Sequence, residues 1–253
     1  MVEKRRVAAI AHRGVREQAP ENTLPALQRA IEMGLDFVEI DVHSTLDGGL
    51  VLSHDSTVDR MTDGSGRIRD MTLQQVKSLD AGVKFGEEFE GTRIPTLDEA
   101  LELCRGRIGI YLDLKDAPVG DVIRCLDEHG MIRDTVVYSS LSVLMEIKRE
   151  RPDLAVMPGP GSWLALPGMA SLVAKALPAE YIDSNLVDWT SERVDEAHAA
   201  GAKVFMDTLG QRDHREGMIE AIEMGADGID TDHPDVLLAV LEELGVERWS
   251  RGY

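Results

Sequence analysis

Glu39 and Asp41 stand two residues apart in the apolar run Phe37–Val42, and on a strand that spacing turns both carboxylates to one side. Two inward-packed carboxylates are costly unless a positive charge neutralises them. Asp113, in the next apolar run, can complete an oxygen set for one divalent cation, Mg2+ or Ca2+. An ion pair of the same acids with Lys115 or Arg13 satisfies the charge as well, and the residues alone do not choose between the two. Zinc fits less well, because this cluster lacks the His and Cys ligands that zinc takes. His12 and His54 are far apart in the chain. Histidine as a residue type titrates near neutrality, so a pair brought to one rim can divide acid and base roles. Arg13 and Lys115 would supply positive charge to a phosphate, Arg as a two-pronged donor and Lys as a point charge. A single histidine at a strand end is more often structural. His43, His129, His198, His214 and His233 have weaker claims, and His129 and His198 fall near helix C-termini, where a dipole role suffices.

The elements that must position these residues are read from hydrophobic runs. Strands are predicted at Val7–His12, Phe37–Val42, Ile108–Leu114, Thr135–Ser139, Leu154–Pro158, Tyr181–Ser184, Lys203–Asp207 and Gly228–Thr231. Helical periodicity lies between them at 23–34, 96–105, 118–130, 141–151, 167–177, 190–200 and 213–224, with a last helix at 233–244. Asn22-Thr23 can cap the first helix, and Thr96-Leu-Asp-Glu99 reads as a capping box. Continuous apolar strands alternating with helices imply an α/β fold with a parallel sheet, and eight repeats are the count of a (β/α)8 TIM-type barrel. An open doubly wound sheet is the weaker reading, since no Gly-rich dinucleotide turn follows the first strand. Asp47-Gly-Gly49 between two β-prone runs predicts a hairpin after the second strand. That hairpin would return His54 to the level of Asp41. With a polar excursion over 56–95 it forms a small insertion, about 43–95, in one domain spanning 1–253. The polar residues then collect at strand C-termini, where barrel enzymes keep their active sites.

Composition narrows the partners. A formal charge of -19 with no Lys/Arg stripe argues against nucleic acid and against tight binding to anionic membranes. A small anionic substrate remains compatible if a cation reverses the field locally. Cys104 and Cys125 lie in separate amphipathic segments and read as reduced core residues. No apolar stretch reaches the ~20 residues of a membrane span, and Val7–Ala11 is too short for a signal sequence, so the default location is the cytoplasm. Oligomeric state is not legible.

Several stretches together resemble the glycerophosphodiester phosphodiesterase family: Ala11-His-Arg-Gly14, Pro20-Glu-Asn-Thr23, Val38-Glu-Ile-Asp-Val42, Leu50-Val-Leu-Ser-His-Asp55, Thr62-Asp-Gly-Ser-Gly66, Ile94-Pro-Thr-Leu97, Leu112-Asp-Leu-Lys115 and Gly225-Ala-Asp-Gly-Ile-Asp-Thr-Asp-His-Pro234. His-Arg-Gly alone would be weak; the ordered set is specific. The resemblance implies the same barrel and metal-dependent hydrolysis of a glycerophosphodiester to glycerol 3-phosphate and an alcohol. It puts the metal ligands on Glu39, Asp41 and Asp113, the acid and base on His12 and His54, and the phosphate contacts on Arg13 and Lys115.

Two departures stand out. Asp113 occupies a position where the family usually has Glu, and Asp207-Thr-Leu-Gly210 replaces the usual Trp-Thr-Val-Asn, removing an aromatic wall and adding an acid. Asp230-Thr-Asp232 reads as structural, with Asp232 capping the last helix. The competing readings are a phospholipase D- or C-like lyase acting on lipid headgroups, for which the sequence offers no basic or aromatic docking surface, and a non-catalytic binding protein, whose signature would be a lost histidine or ligand.

Overall fold

The computed structural model describes residues 6–249. The chain runs β1 (Arg6–Ala11), α1 (Leu24–Glu32), β2 (Phe37–Ser44), β3 (Leu50–Leu52), α2 (Leu73–Ser78), α3 (Leu97–Cys104), β4 (Gly109–Leu114) and α4 (Val119–Glu128). It continues with β5 (Thr135–Ser139), α5 (Leu141–Glu150), β6 (Ala155–Pro158), α6 (Met169–Ala176), β7 (Tyr181–Asn185), α7 (Ser191–Ala199), β8 (Lys203–Asp207), α8 (Arg215–Met224), β9 (Gly228–Thr231), α9 (Pro234–Leu244) and β10 (Glu247–Arg248). Eight strand–helix steps, interrupted after the second strand by a hairpin, make this a (β/α)8 barrel of the TIM type with an insertion, as the sequence predicts.

The residues divide into two compact units. One comprises His12–Gly34 and Val38–Thr135. In it β2 carries Val38, Ile40 and Val42 on one face and Glu39, Asp41 and His43 on the other, and all six are buried. β4 lies beside β2 and repeats the pattern, with Ile110, Leu112 and Leu114 opposed to Tyr111 and Asp113. β3 pairs antiparallel with β2, setting Leu52 opposite Val42 and Leu50 opposite Ser44, so the predicted hairpin forms. The helices bury the stripes that their sequences announce. In α3, Leu97, Ala100, Leu101 and Cys104 point inward, and Thr96 and Glu99 close the expected capping box.

The stretch over 56–95 is not the purely polar excursion that the sequence suggested. Val51, Val58, Ile68, Val76, Ala81 and Ile94 form an apolar cluster of their own, with Met71, Leu73 and Leu79 against it. The short helix α2 is held by a second capping box, Thr72 with Gln75. Its Thr-x-x-Gln pattern was present in the sequence, but only one helical turn of apolar residues follows it, too little for periodicity to register.

The other unit takes residues 6–11, 35–37 and 136–249 of the described chain. Its strands pair in parallel along the path β1-β9-β8-β7, with β6 beside β5 and β10 beside β1. Val7 to Ala11 of β1 are fully buried, which is why that run lacks any polar alternation. The few aromatic residues are concentrated here: the Phe205 ring lies 5.9 Å from Phe37 and 4.9 Å from Tyr181, and Trp249 stacks under Lys203 Nζ at 3.8 Å.

Candidate active site

The acids that the sequence set two apart on β2 meet the one from β4. Glu39, Asp41 and Asp113 each offer a carboxylate oxygen, and the three atoms lie within 4.8 Å of one another. Such crowding of anions requires compensation. Part of it is protein-borne: Lys115 Nζ lies 2.9 Å from Asp41 Oδ1 and also bonds Asp113, while Arg13 Nε is 3.6 Å from Asp41 Oδ2. The ion pairs considered from sequence therefore exist alongside the oxygen cluster. Three carboxylates against two cations leave an excess of one negative charge by formal count, and an all-oxygen donor set suits a hard divalent ion. Burial pushes the Asp113 carboxyl above the usual carboxylate range, with Lys115 opposing the shift and Asp41 adding to it. Burial works against the Lys115 ammonium, but Asp41 and Asp113 outweigh it and hold its pKa above the ordinary lysine value.

The segment after β1 makes a sharp left-handed turn to reach these acids. Arg13 has φ +59° and Gly14 φ +79°. A Cβ on Gly14 would sit 2.7 Å from Ala26 Cβ of α1, so both its backbone angle and its close packing demand glycine. The turn aims the Arg13 backbone N–H at Glu39 Oε2, 2.8 Å away, and its carbonyl accepts from the Asn22 N–H at 2.9 Å. Asn22, itself at φ +55°, clamps Asp41 from both sides. Its amide donates to Asp41 Oδ2 at 2.7 Å, and its carbonyl accepts the Asp41 backbone N–H at 3.1 Å. The cap predicted for α1 is thus not made by Asn22. Thr23 occupies the N-cap position without a side-chain cap bond, and its hydroxyl donates to the Pro20 carbonyl instead.

His12 directly follows β1, is 9% exposed, and precedes the residue that binds Glu39. His54 arrives by the hairpin as predicted, for the neighbouring Ser53 N–H donates to the Asp41 carbonyl at 3.1 Å. His54 Nδ1 pairs with Asp55 Oδ1 at 2.8 Å. Asp55 Oδ2 accepts from Arg60 Nε at 2.7 Å, Arg60 Nη2 reaches Glu21 Oε1 at 2.7 Å, and Arg13 Nη1 donates to the same Glu21 oxygen at 3.1 Å. This string of alternating charges ties His54 to Arg13. The Arg60 hydrogen bonds bring the Asp55 carboxyl down to about 2 against the opposing effect of burial, with His54 contributing in the same direction. Glu21 is also held low, because Arg60, Arg13 and Arg16 together exceed its desolvation. His43, with a weaker claim from sequence, spans Asp116 (Nδ1 to Oδ1 2.8 Å) and the His54 carbonyl (3.4 Å), a supporting position.

All seven predicted site residues fall in one unit, and the contacts just described link the acids, the cations and His54. Sequence reasoning missed the roles of Glu21, Asn22, Asp55 and Arg60. The first three stood inside the quoted stretches Pro20–Thr23 and Leu50–Asp55, but neither periodicity nor spacing reveals what a turn residue bonds. The later acids follow a different course. Asp207 accepts from Asn185 Nδ2 at 2.7 Å, and Asp230 is driven well above the carboxylate range by burial and then by Asp183 and Asp207. Asp232 does not cap α9. His233 holds the N-cap position, and the Asp232 N–H donates to Asp213 Oδ2 at 2.8 Å, an acid that also gathers Thr208 and Thr231.

Known proteins share this arrangement of chain. Residues 12–137 match the Glycerophosphoryl diester phosphodiesterase family. A glycerophosphodiester phosphodiesterase of Caldanaerobacter subterraneus subsp. tengcongensis is 36% identical over 245 residues, covering 93% of this chain and 98% of that protein. The crystal structure of a glycerophosphodiester phosphodiesterase from Agrobacterium tumefaciens superposes with a TM-score of 0.82 at 31% identity, covering 92% of this chain and 99% of that one. An Oleispira antarctica phosphodiesterase, solved with the product sn-glycerol-3-phosphate, gives a TM-score of 0.84 at 28% identity, covering 94% and 97%. The match over 93% of this chain and 98% of a relative at 36% identity establishes that the chain belongs to the glycerophosphoryl diester phosphodiesterase family.

Proposed function

We propose that this enzyme hydrolyses glycerophosphodiesters to glycerol 3-phosphate and an alcohol, with His12 and His54 as the proton-transfer pair and one Mg2+ or Ca2+ on Glu39, Asp41 and Asp113. The observation that carries the reading is the convergence of three carboxylate oxygens within 4.8 Å, bordered by the segments that bear both histidines. A divalent cation bound there supplies Lewis-acid polarisation of a phosphoryl oxygen. Arg13 and Lys115, already directed at the same carboxylates, add positive charge where the equatorial oxygens of the transition state accumulate negative charge. One histidine takes the proton of the attacking water as its oxygen bonds to phosphorus; where the substrate's own glycerol hydroxyl attacks first, a second attack by water opens the resulting cyclic phosphate to glycerol 3-phosphate. The other gives a proton to the departing alcohol oxygen as the P–O bond breaks. Asp55 holds His54 by Nδ1, which leaves Nε2 for proton transfer in either role. The product seen with the Oleispira antarctica relative supports the glycerol phosphate half of the assignment.

General acid–base assistance is worth about two to four orders of magnitude. His12→Ala and His54→Ala are therefore each expected to lower kcat by roughly 100-fold or more, with the fold kept by circular dichroism. Chelation is expected to remove activity and Mg2+ or Ca2+ to restore it. Near-normal turnover in both variants would overturn the proton-transfer roles, and full activity in chelator would overturn the cation.

A further inference from the structure

A second ligand constellation lies apart from these acids. Asp98 of α3, Cys125 of α4 and His129, the residue that ends α4, each offer one ligand atom, and the three atoms lie within 4.8 Å of one another. Cys125 and His129 are four apart, so one face of the helix presents both. His129 Nδ1 lies 2.9 Å from the Cys125 carbonyl oxygen, which can only accept. That contact places the proton on Nδ1 and leaves the Nε2 lone pair for another partner, the usual way a metal-binding histidine is oriented. Nε2 stands 3.9 Å from Asp98 Oδ1, too far for a hydrogen bond. Two metal–ligand bonds of ~2.1 Å at a tetrahedral angle would put their atoms about 3.4 Å apart, so a modest approach would seat an ion. The site opens on a cleft of about 150 Å³, lined by Asp98, Cys125, Asp121 and Glu128 among others, which gives an ion a way in and a place for a water ligand.

We infer that Asp98, Cys125 and His129 form a second metal site, selective for a borderline-soft cation of the zinc class. A sulfur, an imidazole nitrogen and one carboxylate suit Zn2+, whereas the all-oxygen cluster suits Mg2+ or Ca2+, so the two sites sort cations by ligand chemistry. Binding exchanges the Cys125 S–H bond for a sulfur–metal bond and releases one proton to solvent. Without metal the thiol stays protonated, because burial, with Asp98 adding to it, pushes it up to about 12. The ion would tie the start of α3 to the end of α4 and stabilise the fold by mass action.

The test is a Co2+ titration of the full-length, metal-stripped protein in excess Mg2+, which keeps the oxygen cluster filled. A thiolate-to-cobalt charge-transfer band in the near-ultraviolet is expected, saturating at one equivalent and displaced by Zn2+. It should be absent from C125S and present in C104S, and Zn2+ should raise the Tm of wild type but not of C125S or H129A. Mg2+-supported turnover of C125S should match wild type, which also reports that the variant folds. Should C125S not fold, the band in wild type and C104S still decides. A wild type that shows no band, a band that survives in C125S, or one lost in C104S would overturn the assignment.

Discussion

Asn22 carries a load that its position in the sequence does not advertise, and its replacement can be worked through quantitatively. It is 3% exposed, Asp41 is 1% exposed, and the two share reciprocal hydrogen bonds of 2.7 and 3.1 Å. Asn22→Gly keeps the left-handed backbone accessible but removes both bonds. A bond to a charged acceptor contributes about 1.5–3 kcal/mol, and an orphaned buried N–H costs about 1–3 kcal/mol. Allowing for partial relaxation, Asn22→Gly should destabilise by about 3 kcal/mol. Asn22→Ala adds the strain of a Cβ at φ +55°, about 1 kcal/mol more. Asn22→Asp preserves shape and backbone preference yet brings a second carboxylate against Asp41 Oδ2, a repulsion that a cation in the cluster would relieve. Urea unfolding of the three variants, with and without Mg2+, reads these terms separately. The order expected in chelator is wild type, Gly, Ala, and Asp should regain the most stability when Mg2+ is added. Loss of the clamp also lets Asp41 drift, and a displacement near 1 Å costs on the order of 100-fold in kcat. Asn22→Gly within about 0.5 kcal/mol of wild type, the range of ordinary surface changes, would refute the clamp.

Lys115→Met removes a cation shared by two site carboxylates. It should lower Tm in chelator, and divalent cation should raise the Tm of the variant more than that of wild type; equal shifts would deny the shared compensation. Asp55 has a pKa of about 2 when folded against 3.8 ordinarily, so its stabilisation is present above pH 4 and lost as pH falls through about 2. In Arg60→Ala the Asp55 titration, followed by carboxyl NMR, should move up toward 3.8 and the acid transition should move with it. Asp230 is shifted the opposite way by burial and by Asp183 and Asp207, so its contribution is present below the ordinary carboxylate value and is lost as pH rises toward its folded value. Asp230→Asn should therefore raise Tm at pH 8 more than at pH 4, and thermal scans at the two values check the sign.

Much of the architecture was legible in the chain itself. Parallel strands buried on both faces write themselves as unbroken apolar runs, and the strands predicted at Val7–His12 and Ile108–Leu114 were found for that reason. Period-2 geometry is equally local, so Glu39 and Asp41 could be put on one face before any tertiary contact was known. The Asp-Gly-Gly turn likewise foretold that His54 would come back beside Asp41. What the sequence could not determine was anything resting on pairing between side chains distant along the chain. The string from His54 through Asp55, Arg60 and Glu21 to Arg13 crosses 41 residues, as the numbering from 13 to 54 gives. Asn22 spends both ends of its side-chain amide on Asp41, a buried carboxylate whose charge strengthens the bond, and Thr23 takes the N-cap position of α1. The N-cap position of α9 falls on His233, one residue after Asp232, whose backbone N–H donates to Asp213. Local periodicity is set by covalent geometry and can be read residue by residue; the choice of partner is set by which groups the fold has removed from water, and only the tertiary structure decides that.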